Sequence, residues 1–184
     1  MATINRLSLN IDKTSWLFLA RFHLPQRTIL PFKLKISGMP VEQTAYVKYF
    51  GLTIDGHLNL KKSHVHKVSE KISSGIGILS KLRDFVTYDI LTQLYYSLMY
   101  LFLAYSLVVW GNTCSTTLKP IVTLQKHALH IITFSKQYPQ SSPIFAQLGL
   151  IKFMDLVTMQ TAVFMFQHCH NILQKAFDNY FSFT

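Results

Sequence analysis

Lys48-Tyr49-Phe50-Gly51-Leu52-Thr53-Ile54-Asp55 is the stretch that decides the fold, because strand periodicity ends just after it and helical periodicity begins a few residues later. Tyr49, Gly51 and Thr53 alternate with Phe50, Leu52 and Ile54, which predicts a β-strand running through Gly51. Asp55-Gly56 then turns the chain. A glycine inside a strand pattern marks a bulge or a close backbone approach, since it adds no side chain to the sheet. Gly51 is therefore expected to be either a packing accommodation or a point where a ligand backbone comes near.

Upstream, Trp16, Phe18, Ala20 and Phe22 alternate with Leu17, Leu19 and Arg21, predicting a strand, with Leu24 to Pro31 as the loop after it. Phe32, Leu34 and Ile36 alternate with Lys33, Lys35 and Ser37 before a turn at Gly38, and Met39 to Gln43 reads as the returning hairpin partner. Downstream the period lengthens. Val65, Val68, Ile72, Ile76, Leu79, Leu82 and Val86 recur at three- and four-residue steps and predict one amphipathic basic helix from Lys61. Tyr88 to Val109 reads as a second helix, Leu118 to Phe134 as a third with Lys126 and His130 aligned four apart, and Ser142-Pro143 as the start of a short helix ending at Gly149. Phe153 to Phe177 is apolar nearly all round, so this last helix is expected deep in a bundle or in an interface. The fold class is α+β, mostly α: residues 1–56 form a small antiparallel sheet and residues 57–184 a helical bundle.

An apolar fraction of 49%, with 14 phenylalanines and 9 tyrosines, excludes a disordered chain. The 18 Lys and Arg against 8 Asp and Glu give a net charge of +10, which favours polyanions or anionic surfaces. Thirteen of those 18 lie at or before Arg83, so a polyanion footprint belongs to the first half. Two cysteines, Cys114 and Cys169, outside any regular framework fit a reducing, intracellular compartment. Met1 to Asn10 lacks a basic region followed by a long apolar run, so no signal peptide is expected. Residues 90–110 hold no Lys, Arg, Asp or Glu over 21 positions, long enough to cross a bilayer. Tyrosine, serine and threonine are spread through that segment, whereas tyrosines of membrane helices gather at the interfaces. A buried helix is the favoured reading and a small membrane protein the alternative.

Two-metal nucleotidyl transfer needs clustered carboxylates, and the eight acids of this chain include no adjacent pair. The pairs His64/His66, His127/His130 and His168/His170 with Cys169 invite a zinc reading, but no Cys-x-x-Cys accompanies them, so no metal site is expected. Phosphate-cradling glycine motifs and a nucleophile elbow are absent, and the glycines of Ser73-Ser74-Gly75-Ile76-Gly77 read as permitting close helix packing. Basic residues interleaved with aromatics remain, the composition of a surface that tracks a nucleic-acid backbone. Lys48, Lys61, Lys62, Lys67 and Lys71 are the candidates, against the alternative of a solvated helix face.

Six blocks, in order, resemble the region downstream of the catalytic core in reverse transcriptases of non-LTR retrotransposons, the jockey-like elements. They are Asn5 to Thr14, Lys48 to Asp55, Lys71 to Leu79, Leu94 to Leu98, Val109 to Asn112 and Leu124 to Lys126. The resemblance implies that Leu7 to Thr14 corresponds to a polymerase motif D, with Lys13 at the position of a lysine that protonates leaving pyrophosphate. It implies that Phe50-Gly51 corresponds to the primer grip, a β-turn holding the primer end, and that the helices after Lys61 correspond to the thumb, which clasps a template–primer duplex. On the residues alone, Lys13 reads as a surface lysine at a strand edge. The family's fingers and aspartate-bearing palm strands lie upstream of these blocks, and the family uses Mg²⁺ at those aspartates. The expectation is thus a fragment of an RNA-directed DNA polymerase, inactive by itself, with nucleic acid and the missing fingers and palm as partners, no cofactor of its own and no small-molecule substrate. His127 and His130 stand where the family commonly has arginine, and Leu101-Phe102 replaces a proline-containing stretch, which predicts a more continuous second helix. These departures suggest a decaying copy or a partial reading frame. The alternative is a retained nucleic-acid-binding helical module.

Overall fold

The computed structural model describes residues 9–19, 33–56, 60–135 and 141–177, without the side chains of residues 60–63, 141 and 176. The chain forms two compact units, Met1–His64 and Val65–Thr184. The fold class is α+β with helix dominant, the short strands preceding the helices as expected.

The first unit contains three two-stranded pieces. Strands β1 (Ser15–Trp16) and β4 (Glu42–Gln43) pair in parallel, β2 (Lys35–Ile36) and β3 (Met39–Pro40) antiparallel, and β5 (Tyr46–Tyr49) and β6 (Leu52–Asp55) antiparallel. The antiparallel pairing expected from the alternation is present in β2–β3 and β5–β6, divided between two pieces, and the β1–β4 pair adds a parallel one. Of the predicted strand over Trp16 to Phe22, Ser15–Trp16 is paired and Leu17 to Leu19 is not, with Phe18 and Leu19 exposed; residues 20–32, and so the rest of that strand and the loop after it, lie outside the described residues. Trp16 holds the parallel pair together: its indole Nε1 donates to the Val41 carbonyl at 3.2 Å, and Thr44 N–H donates to the Trp16 carbonyl at 3.0 Å. The hairpin predicted at Gly38 is present, with Ser37 and Gly38 at φ 51° and 83° closing a two-residue turn.

In the helical part, α1 (Leu60–Leu82) carries the expected stripe, burying Val65, Val68, Ile72, Ile76 and Leu79. The second helix is not continuous. It runs as α2 (Tyr88–Tyr95), a π-helical turn over Tyr96–Tyr100 and α3 (Leu101–Ala104), then breaks before α4 (Leu107–Trp110). From Leu91 to Leu107 its fully buried residues, Leu91, Tyr95, Met99, Leu103 and Leu107, fall four apart, and Trp110 follows three residues on. In a straight α-helix each four-residue step drifts about 40° around the axis. The wider π turn takes up that drift, and the same face stays inward.

The break falls at Tyr105, which is extended, and Ser106, which is left-handed at φ 51°. Trp110 Nε1 donates to the Tyr105 carbonyl at 2.9 Å, so the oxygen freed from the helix keeps a partner. The helix is thus unbroken through Leu101-Phe102, as expected there, but it ends at Ala104 and not at the expected Val109. Among the described residues, which include 90–110, no helix is long and apolar enough to cross a membrane.

Helix α5 (Ser115–Ile132) packs against α2, α6 (Ser141–Gln147) and α7 (Phe153–Cys169), and α4 packs against α7. Trp110 stacks on Phe153 with ring centroids 5.6 Å apart. Gly111 brings α4 against α7: a Cβ there would sit 2.7 Å from the Leu107 carbonyl oxygen and 3.0 Å from Val157 Cγ2. Helix α7 ends at Cys169 and not Phe177, and only Phe153, Leu156 and Val157 of it are buried. The expectation of a deeply buried last helix is corrected accordingly.

Candidate nucleic-acid interface

The β5–β6 register pairs Tyr49 with Leu52 and Lys48 with Thr53, leaving Phe50 and Gly51 as a two-residue loop. Gly51 is therefore a turn residue and not a strand residue, which corrects the strand read through it. Both loop residues have positive φ, 43° at Phe50 and 79° at Gly51, as in the type I′ turn whose twist matches paired strands. Glycine adopts that conformation freely, whereas a Cβ-bearing residue pays about 1–2 kcal/mol for it. Phe50 is 75% exposed and its ring meets Tyr49, itself 59% exposed, edge-on at 4.6 Å. Beside them Lys48 is exposed, while Leu52, Thr53 and Asp55 are buried on the return strand. The hairpin thus presents a strained aromatic tip, with an exposed lysine two residues before Phe50 along the chain, carried on a strand anchored in its unit.

Lys67 and Lys71 are exposed and lie four residues apart on one face of α1. Helical geometry puts them one turn apart along the axis. Glu70 pairs with His66 at 3.5 Å on the same helix, so a carboxylate shares the exposed surface with the lysines. Lys61 and Lys62 belong to the first turn of α1, but their side chains lie outside the described residues. Lys13 is exposed at the end of a 3₁₀ turn over Ile11–Lys13, capped by the Asn10 side chain accepting from Lys13 N–H at 3.2 Å. The strand-edge position read for Lys13 is replaced by this turn. The hairpin tip and Lys67 with Lys71 belong to different compact units.

The second unit is held by a polar clamp that sequence reasoning missed. Gln125 lies on the inward stripe of α5, buried with Ile121, Ala128 and Ile132. Its Nε2 donates to Tyr95 Oη at 2.8 Å and to the Ile151 carbonyl at 3.0 Å, and its Oε1 accepts from Phe153 N–H at 2.8 Å. A carbonyl only accepts and an amide N–H only donates, so the two backbone groups dictate the orientation of the amide. Burial pushes Tyr95 from 10.0 up to about 12; the Gln125 hydrogen bond opposes that rise, and Tyr96 and Tyr100 add to it. The signal available in the sequence was a glutamine at an inward position of an otherwise apolar stripe. At the far end of α5, His130 is buried with Nδ1 2.8 Å from Ser135 Oγ, so it does not share an exposed face with Lys126. Arg83 stacks its guanidinium 4.4 Å above the Phe134 ring.

These arrangements offer stacking surface and positive charge. Among the described residues no group of three His, Cys, Asp or Glu is gathered as a metal site would need. No family model, no curated protein and no solved structure matches this chain.

Proposed function

We propose that this chain is the primer-grip and thumb-like part of an RNA-directed DNA polymerase of a mobile element, one that binds a template–primer duplex and does not polymerise by itself. The observation that carries the proposal is the β5–β6 tip, where an exposed phenylalanine is held in a strained conformation. Strain at an exposed aromatic adds nothing to the core, and such strain concentrates at sites where it serves a ligand. Phe50 and Tyr49 offer faces on which a terminal base stacks, and Lys48 beside them meets a phosphate. Lys61, Lys62, Lys67 and Lys71 supply further backbone contacts, which are sequence-independent and salt-sensitive. The absence of adjacent acids supports the lack of polymerase chemistry, since the reacting phosphate would have no pair of carboxylates to hold its metal ions. An intracellular location belongs to the same proposal, because template and primer are found there.

The test is fluorescence anisotropy with a recessed template–primer, a blunt duplex and a salt series. We expect preference for the recessed end, and a Phe50→Ala loss of about tenfold, within the roughly 1–3 kcal/mol of one base–aromatic stack. Each of the Lys→Ala changes at positions 48, 61, 62, 67 and 71 should lower the salt slope by about 1. Salt-dependent binding without end preference and without loss in Phe50→Ala would favour the plain nucleic-acid-binding module. Template-directed incorporation with Mg²⁺ or Mn²⁺ would refute the inactive-fragment part, and salt-independent or absent binding would refute both.

A further inference from the structure

We propose that the outer face of α7 pairs with the same face of a second copy of this chain, antiparallel about a two-fold axis passing between Ala162 and Val163. At about 100° per residue, Asp155, Met159, Ala162, Val163, Phe166 and His170 fall on one side of the helix, and all six are exposed. Of the buried residues, Phe153 and Val157 lie on the other side, and Leu156 borders the stripe beside Val163. Met159 is 42%, Val163 50% and Phe166 56% exposed, an apolar stripe over two turns with small Ala162 at its middle. A helix apolar on both faces is built to be covered on both.

Charge and symmetry choose the occupant. In an isologous pair each residue meets its mirror position about the axis. Here Met159 meets Phe166, Ala162 meets Val163, and Asp155 meets His170. The two ionisable ends of the stripe are of opposite kind and equidistant from its centre, about 11 Å along the axis on either side. A parallel pair would set Asp155 against Asp155. His170 is already held for this contact: its ring stacks on Phe166 at 4.0 Å, and Nδ1 lies 2.9 Å from the Phe166 carbonyl oxygen. That carbonyl only accepts, so Nδ1 carries a proton and Nε2 is the nitrogen left, which donates to the carboxylate of the other copy when the ring carries both protons. Helix α7 contains no Lys or Arg, so the chain's net positive charge is absent from the face that would be buried. One helix stripe supplies less than the roughly 800 Å² per partner of a standard interface, so a weak dimer is expected.

Sedimentation equilibrium of the full chain at pH 6 tests the pairing. We expect mass to rise toward twice the monomer with concentration. Val163→Arg, which sets two guanidinium groups beside the axis, should weaken association at least tenfold with unchanged circular dichroism. Asp155→Asn and His170→Gln should each weaken it two- to fivefold, and the double variant should lose no more than either alone. A monomer up to the solubility limit, a dimer indifferent to Val163→Arg, or additive losses at Asp155 and His170 would each overturn the proposal.

Discussion

Replacing Gln125 by leucine keeps approximate size and removes the three hydrogen bonds that join α5 to Tyr95 and to the chain entering α7. The bond to the Ile151 carbonyl is part-buried, whereas the Phe153 N–H and the Tyr95 hydroxyl are left buried. Each buried polar group without a partner costs about 1–3 kcal/mol, and the leucine recovers part of that by apolar burial. The net loss is expected near 3 kcal/mol, a large fraction of the roughly 5–15 kcal/mol that holds a domain. Urea unfolding followed by circular dichroism should show the midpoint falling by about 1–2 M with an unchanged slope. Tyr95→Phe removes only one of the bonds and leaves Gln125 Nε2 on the Ile151 carbonyl, so it should cost about 1 kcal/mol. Because Tyr95 and Gln125 touch, the double variant should lose less than the sum of the two. A Gln125→Leu loss below about 1 kcal/mol, or a Tyr95→Phe loss as large as that of Gln125→Leu, would refute the clamp as the organising contact of this unit.

The raised Tyr95 value makes a pH prediction. The folded value is above the unfolded one, so the stabilisation is fully present below pH 10.0 and is lost as pH rises toward about 12, a loss of about 2–3 kcal/mol that Tyr95→Phe should abolish in alkaline unfolding curves. Two glycines should respond oppositely to alanine. Gly77 has nothing within 4 Å of a Cβ, so Gly77→Ala should stabilise by up to about 1 kcal/mol, whereas Gly111→Ala meets the Leu107 backbone at 2.7 Å and should destabilise by about 2 kcal/mol or more, both read by thermal melting. Phe50→Asn should raise the stability of the hairpin by about 1 kcal/mol, since Asn-Gly suits the turn, while weakening nucleic-acid binding. A stability gain without a binding loss would separate the strain from the proposed role.

The chain reads as strands then helices because the two periods, two and 3.6, are written in the spacing of its apolar residues. The stripe of α1 from Val65 to Leu79 and the Gly38 hairpin are legible in that way. Gly51 was misread because a two-residue turn between equal strands preserves the alternation on either side, and only the pairing register of Tyr49 with Leu52 reveals the reversal. The Gly75 and Gly77 positions look alike in sequence, yet a Cβ at Gly75 would meet Met99 Cγ at 3.0 Å and one at Gly77 would meet nothing. What a glycine makes room for depends on the neighbour, and the neighbour comes from elsewhere in the chain.

By itself, then, the sequence determined that strands precede helices, the inward face of α1 and the excess of positive charge, all properties of local spacing and composition. The tertiary structure alone decided where the second helix winds as π and breaks, because a period of four stays inward only through a wider turn, and the carbonyl freed at Tyr105 is met by the Trp110 indole. It alone decided that Gln125 is a hub and that Phe50 is a strained tip. Both depend on partners that no local pattern specifies: the backbone 26 and 28 residues away for the glutamine, and the opposite strand for the phenylalanine.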